Sequence, residues 1–277
     1  LHTNALYSFH RMFKSILDSE KPTHVLVAWD AGKTTFRTEM YADYKGGRSK
    51  TPGEFIEQMP YFNVLLDAWG IPHYRLNQYE ADDIIGTLAR KGEEAGYEVV
   101  VLSGDKDLIQ LADNNITVKI TTKGVTELVE YTPEVIFEKY GLTPEQIIDM
   151  KGLMGDSSDN YPGVTKVGEK TAVKLLQEFG SVEGIYEHVD EMKKSKLKEN
   201  LINDKELSFL SKKLARINVE SPIEITLEDT LRKEQDVDAL MSFYKEMNFN
   251  SFQSDLLNSG GATVEEAPKA ERPTVKR

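Results

Sequence analysis

Eight carboxylates in four short stretches are the residues of this chain best suited to chemistry. Glu80, Asp82 and Asp83 fall within the run Gln78-Tyr79-Glu80-Ala81-Asp82-Asp83-Ile84-Ile85-Gly86, directly ahead of an apolar helical pattern. On a helix Glu80 and Asp83 share one face, with Asp82 about 100° away. Crowded carboxylates repel one another unless cations neutralise them. One reading is an acidic first helical turn that suits the helix dipole. The other is a cation site, and three further stretches tip the balance toward it. Asp30 follows one apolar run, Asp105 and Asp107 follow a second, and Asp156 and Asp159 lie in a glycine-punctuated loop. The chain has no cysteine, and no suitably spaced histidine pair accompanies the acids. All-oxygen ligation favours Mg²⁺ or Mn²⁺ over zinc. Eight carboxylates exceed what one six-coordinate ion uses, because Mg²⁺ retains waters, so their convergence implies two or more ions. Two ions about 4 Å apart suit in-line phosphodiester hydrolysis. Glycosidase chemistry needs only two carboxylates and leaves the surplus unexplained. A structural calcium cluster would account for the acids, but not for the basic stretch that follows Asp30.

The elements that must position these groups follow from periodicity. Residues 4–17 read as an amphipathic helix with Leu6, Phe9, Phe13, Ile16 and Leu17 on one face. Residues 24–29 are a continuous apolar run of strand length, as expected for a buried parallel strand, and Asp30 ends it. Residues 54–69 form a second helix and 71–76 a short strand. The acidic helix then runs to about residue 95, where Gly96 stops it. Residues 97–103 are a second buried strand, ending at Asp105 and Asp107. Residues 116–120 and 126–129 read as a strand pair around Lys123-Gly124. Alternation of strand and helix argues for a mostly parallel sheet, and ligands of such sheets collect beyond the strands' carboxyl ends.

Beyond residue 131 the pattern becomes helical. Residues 133–140 and 143–154 are helices, the second with Pro144 at its first position. A loop follows, and another helix spans 169–179. Gly163 and Gly168 punctuate that loop, where backbone amides can approach phosphates, and Lys166, Lys170 and Lys174 add positive charge. Short helices continue to about 256. Residues 259–277 have linker composition.

Two features bear on the substrate. Lys33, Arg37, Lys45, Arg48 and Lys50 are interleaved with Phe36, Tyr41 and Tyr44, which supplies cations for phosphates and rings for stacking on bases. A solvated mobile loop has the same composition. The net charge of −12 over 277 residues argues against nucleic acid only if charge is spread evenly; with eight acids set aside for metals, −4 remains. The absence of cysteine fits a reducing cytoplasm, and no apolar run has transmembrane length.

Trp29-Asp30-Ala31, the Tyr44-Lys45-Gly46-Gly47-Arg48 stretch, 79–83, 103–108 and 152–172 resemble, in order, the motifs of the 5′ nuclease (flap endonuclease) family. The likeness is greatest to its bacterial branch of amino-terminal 5′→3′ exonuclease domains joined to a DNA polymerase, and it covers residues 1 to about 257. It implies an α/β class: a PIN-like, mostly parallel sheet over 1–131 with a helical arch at about 33–60. An all-α helix–three-turn–helix (SAM-fold-like) domain would follow over 132–257, then a linker over 258–277. By resemblance, Asp30, Glu80, Asp82, Asp83, Asp105, Asp107, Asp156 and Asp159 match the family's metal carboxylates. Lys45 and Arg48 match its arch cations beside the scissile phosphate. Lys33, Arg37, Tyr44, Lys45, Arg48, Gly163, Lys166, Gly168, Lys170 and Thr171 are the expected DNA contacts. The hairpin 163–168, which in relatives can hold a monovalent cation (K⁺), has Thr165-Lys166 where a Pro-Gly-like pair is usual.

The implied activity is Mg²⁺-dependent 5′→3′ exonuclease and flap endonuclease cleavage. Its substrates would be flapped or branched duplex DNA and RNA–DNA primers, in replication and repair. The expected setting is a cytoplasmic, nucleoid-associated monomer with polymerase domains downstream. Family members begin with a strand ending in a metal-binding aspartate, and Leu1 resembles the entry to the helix after it. Neighbouring strand edges are then expected to lack a partner, with low stability and poor activity. A junction-binding module without catalysis and a stand-alone nuclease are the alternative readings.

Overall fold

The computed structural model describes residues 4–32, 35–46, 53–122, 127–259 and 274–276. Helix α1, Asn4–Glu20, leads into strand β1, Val25–Ala28, all four residues of which are buried. A five-residue helix α2, Phe36–Met40, follows, then α3, Gly53–Trp69, and the short strand β2, His73–Tyr74. Helix α4, Ala81–Glu94, and strand β3, Val99–Ser103, come next. A 3₁₀ turn at Lys106–Leu111 precedes β4, Ile116–Thr122, and β5, Glu127–Tyr131. The turn expected at Lys123-Gly124 lies outside the described residues.

Seven helices follow among the described residues: α5, Pro133–Tyr140; α6, Pro144–Met154; α7, Glu169–Phe179; α8, Val182–His188; α9, Lys196–Asn203; α10, Lys205–Ala215; and α11, Val237–Glu246. Helix α12, Asn250–Asn258, and a short strand β6, Thr274–Lys276, close the described chain. None of the described helices is long and apolar enough to cross a membrane.

The described strands form one sheet in the order β2-β1-β6-β3-β4-β5, parallel except for the edge pair β4/β5. Strand β6 corrects two expectations. Residues 274–276 fall in the stretch read as linker, yet they pair in parallel with β1 on one side and β3 on the other. The edges of β1 and β3, expected to be open, are therefore bridged at these positions. Unpaired strand edges present rows of N–H and C=O groups to any extended segment within reach, and three residues suffice to cover them locally.

Two apolar clusters sit on either side of the sheet. One joins α1 and α3 to α11 and α12 through Phe13, Leu65, Trp69, Phe243 and Phe252. Helices α11 and α12, grouped by sequence with the second domain, thus pack against the first. The other cluster runs unbroken from Ile84, Val101 and Val118 into Ile136, Leu153, Leu176 and Ile185. The sheet and helices α5–α8 consequently share one core. That continuity holds the loop after α6 against the carboxyl end of β3.

Candidate metal centre

Each acidic stretch sits where an element begins or ends, because carboxylates can accept backbone amides there. Asp30, just past β1, accepts the Ala81 amide through Oδ1 at 2.7 Å, satisfying one free donor of the α4 N-terminus. Asp105 caps the 3₁₀ turn by accepting the Asp107 amide at 2.9 Å. Asp156 accepts the Ser158 amide at 2.9 Å, and its backbone exchanges two hydrogen bonds with Tyr161 at 3.0 and 3.1 Å. Asp82 is buried in the first turn of α4.

The eight acids do not form one uniform cluster. Asp107, Asp156 and Asp159 each place a carboxylate oxygen within 4.8 Å of the others'. Lys151, in the last turn of α6, stands 3.5 Å from Asp107 and 3.2 Å from Asp156. Asp107 is only 9% exposed, and the 3.5 Å contact with Lys151 Nζ is to its Oδ1, which makes no closer hydrogen bond among the described residues. Burial, then the charges of Asp105, Asp156 and Asp159, push its carboxyl up to about 7 against the pull of Lys151. Burial likewise works against Asp156, but the Ser158 hydroxyl and Lys151 prevail and hold it below its usual range.

Glu80 and Asp83 are treated differently. Arg37 donates to both oxygens of Asp83, at 2.8 and 2.9 Å, and to Glu80 at 2.5 Å. Asp83 also accepts the Glu80 amide at 3.1 Å and the Asn218 amide at 2.9 Å. Its four acceptor positions are thereby filled. Arg37 further donates to the carbonyls of Leu214 at 2.9 Å and Arg216 at 2.7 Å, at the end of α10, where helix carbonyls lack internal partners. Burial disfavours the charged guanidinium, but the hydrogen bond and charge of Asp83, with Glu80, raise its pKa above the ordinary value. Glu80 additionally accepts from the Tyr44 hydroxyl at 3.2 Å and from Lys45 Nζ.

Three expected site residues sit inside the protein. Arg37 is 2% exposed, so it serves as an internal counter-ion and not as a phosphate contact. Asp83, expected as a metal ligand, is fully buried, and four protein donors occupy its acceptor positions. Tyr44, expected to stack on bases, is also buried and packs beside Tyr161. Lys33 and Arg48 lie outside the described residues. Lys45 joins the two acidic groups, since its Nζ reaches Glu80 while its amide donates to the Asp159 carbonyl at 2.6 Å. Sequence reading passes over Lys151 and Tyr161. The available signal for Lys151 is a lone cation closing α6 immediately before the Asp156 loop.

The hairpin 163–168 divides in the same way. A Cβ on Gly163 would stand 2.3 Å from the Gly155 amide nitrogen, so this glycine permits two backbones to meet and is buried. Gly168, the N-cap of α7, faces open space, with exposed Lys166 and Lys170 beside it. Lys166 itself adopts φ 63°, a left-handed conformation that glycine takes more readily.

The sequence matches two family models. Residues 1–141 match the 5′-3′ exonuclease N-terminal resolvase-like domain, and 142–238 the 5′-3′ exonuclease C-terminal SAM fold. The chain belongs to the 5′-3′ exonuclease family. The α/β sheet followed by SAM-fold helices is the architecture expected from sequence. DNA polymerase I of Lactococcus lactis subsp. cremoris is 60% identical over 95% of this chain and 30% of its own length. DNA polymerase I of Bacillus subtilis is 52% identical over the whole chain and 31% of its own length. This 5′-3′ exonuclease family member thus spans under a third of the curated relatives it matches. Among solved structures, the T5 D15 protein crystallised with metal ions superposes with a TM-score of 0.65 at 25% identity, covering 91% of each chain. T5 5′-exonuclease bound to divalent zinc gives 0.62 at 25% identity over 91% of this chain and 90% of its own. The catalytic core of Rad2 with DNA, at 17% identity and 0.62, shares the fold over 90% of this chain and 83% of its own.

Proposed function

We propose that this chain is a divalent-metal 5′→3′ exonuclease and flap endonuclease acting on branched DNA and RNA–DNA primers. The observation that carries the reading is the convergence of Asp107, Asp156 and Asp159, with a buried Asp107 oxygen that among the described residues meets Lys151 at 3.5 Å and makes no hydrogen bond. The group's all-oxygen donors fit Mg²⁺ or Mn²⁺. These three aspartates would hold the ion, with Asp105 in the same turn and Asp30, Glu80 and Asp82 from the neighbouring elements. A divalent ion held there supplies electrophilic stabilisation to a phosphodiester and to the oxygen that leaves it.

The remaining work falls to the chain. Lys45, tethered by its amide to Asp159, carries a cation from the arch base to the carboxylates. Arg48, close by in sequence, is proposed as its companion. The open N-terminus of α7, with Lys166, Lys170 and Thr171, offers amides and charge to the duplex backbone. A K⁺ ion at the 163–168 hairpin is proposed by family resemblance alone. The likeness to DNA polymerase I supports downstream polymerase domains as partners in a longer chain.

The test is cleavage of an end-labelled 5′-flap duplex with Mg²⁺, Mn²⁺ or EDTA. Metal-dependent release of the flap is expected. Binding without cleavage in any metal would overturn the nuclease reading in favour of a junction-binding module.

A further inference from the structure

Tyr161 lies five residues beyond Asp156 in the same tight turn, and two backbone hydrogen bonds between these residues fix its position. The turn cannot shift freely, because a Cβ on Gly155 would meet the Pro162 carbonyl oxygen at 2.5 Å. The Tyr161 ring stacks beside Tyr44 with centroids 6.3 Å apart and planes 23° from parallel. Tyr44 turns its hydroxyl to Glu80, on the side that Arg37 neutralises. Tyr161 is 4% exposed, and its hydroxyl has no hydrogen-bond partner among the described residues. A buried hydroxyl left unpaired is costly, and retaining one calls for an explanation. Its surroundings supply one. Asp107, Asp156, Asp159 and Asp105 all act electrostatically on this phenol and, after burial, keep it protonated.

We infer that Tyr161 is a positioning residue for the ion held by Asp107, Asp156 and Asp159, its hydroxyl accepting a hydrogen bond from a water in that ion's shell. Water bound to a cation directs its lone pair at the ion and both O–H bonds outward. Mg²⁺ and Mn²⁺ sites of this kind retain several waters. A neutral phenol suits the role better than a fifth carboxylate, because it can accept a hydrogen bond without adding charge. The inference rests on the metal reading of the preceding subsection.

The experiment measures free Mn²⁺ by electron paramagnetic resonance during titration of the full chain and of Tyr161→Phe, with thermal unfolding of both in EDTA. Phenylalanine keeps the ring against Tyr44 and removes only the unpaired oxygen. Expected is about five- to tenfold weaker Mn²⁺ binding at one site, the size of one hydrogen bond, with an unchanged or higher unfolding midpoint in EDTA. Equal Mn²⁺ affinity in the two proteins would overturn the role of Tyr161 while leaving the metal site intact. Lower stability in EDTA would likewise overturn it, by showing a partner already made within the protein. If the unaltered chain bound no Mn²⁺, both the site and this inference would fall.

Discussion

Asp83 and Asp107 are acids of one kind in one molecule, and their surroundings put them to opposite uses. Asp83 is fully buried yet surrounded by four donors, two of them from Arg37. Asp107 is nearly as buried, but one oxygen has no hydrogen-bond partner among the described residues and Lys151 stands at 3.5 Å. The first pair of charges is closed within the protein. The second is, on the proposed reading, completed by a cation from outside. Acid clustering alone does not identify a metal ligand; the count of donors already committed to each oxygen separates scaffold from site.

The largest effect expected from this contrast is on Arg37. Arg37→Met strands Asp83 as a buried charge and removes two donors from the end of α10. Breaking one side of a buried ion pair costs about 3–5 kcal/mol. Urea unfolding in EDTA should show a loss of that size, and a change below about 1 kcal/mol would break the comparison.

An intermediate effect is expected from pH. The proposed ligation needs the Asp107 carboxylate, which burial and then its acidic neighbours push up to about 7 in the absence of metal. Mn²⁺ affinity should therefore fall as pH drops through 7, by up to about tenfold per unit below it. Without metal the sign reverses. A carboxyl whose folded pKa is raised contributes stability that is present below its unfolded pKa and is lost as pH rises through 7. The stability gained by Asp107→Asn in EDTA should consequently be greater at pH 8 than at pH 5. A pH-independent gain would show that Asp107 is already neutralised. His10 acts in the other direction, since burial and then Lys14 hold it down at about 3. Its contribution is full above 6.5 and is lost as pH falls toward 3, which is why the pH series compares variant with parent.

The smallest effect marks the other limit. Arg216 and Glu145 pair at 2.6 Å, but both are largely exposed. Arg216→Ala should change stability by less than about 1 kcal/mol. A larger loss would mean that the exposed pair does work attributed to Arg37.

Much of the fold was legible because local signals agree. Helix α5 has Thr132 as N-cap and Gly141 as left-handed C-cap, and α6 has a Thr143/Gln146 capping box with Pro144. Their limits could be read from sequence. Helix α2 could not, because five residues hold too little periodicity, and its Thr35 cap is embedded among basic and aromatic residues. Strand β6 is three residues within a linker-like tail. The convergence of Asp107, Asp156 and Asp159 follows from strand ends and a loop, both visible as patterns. The closure of Asp83 does not, since Arg37 is 46 residues from Asp83 and 177 from Leu214. A cation in a basic stretch gives no sign that it turns inward.

The most direct measurement compares Asp83→Asn with Asp107→Asn, counting bound Mn²⁺ and recording the unfolding midpoint in EDTA. Asp83→Asn should lower the midpoint and leave the number of bound ions unchanged. Asp107→Asn should hold or raise the midpoint and bind fewer ions. Loss of an ion from Asp83→Asn at unchanged stability would contradict the division between closed and open carboxylates.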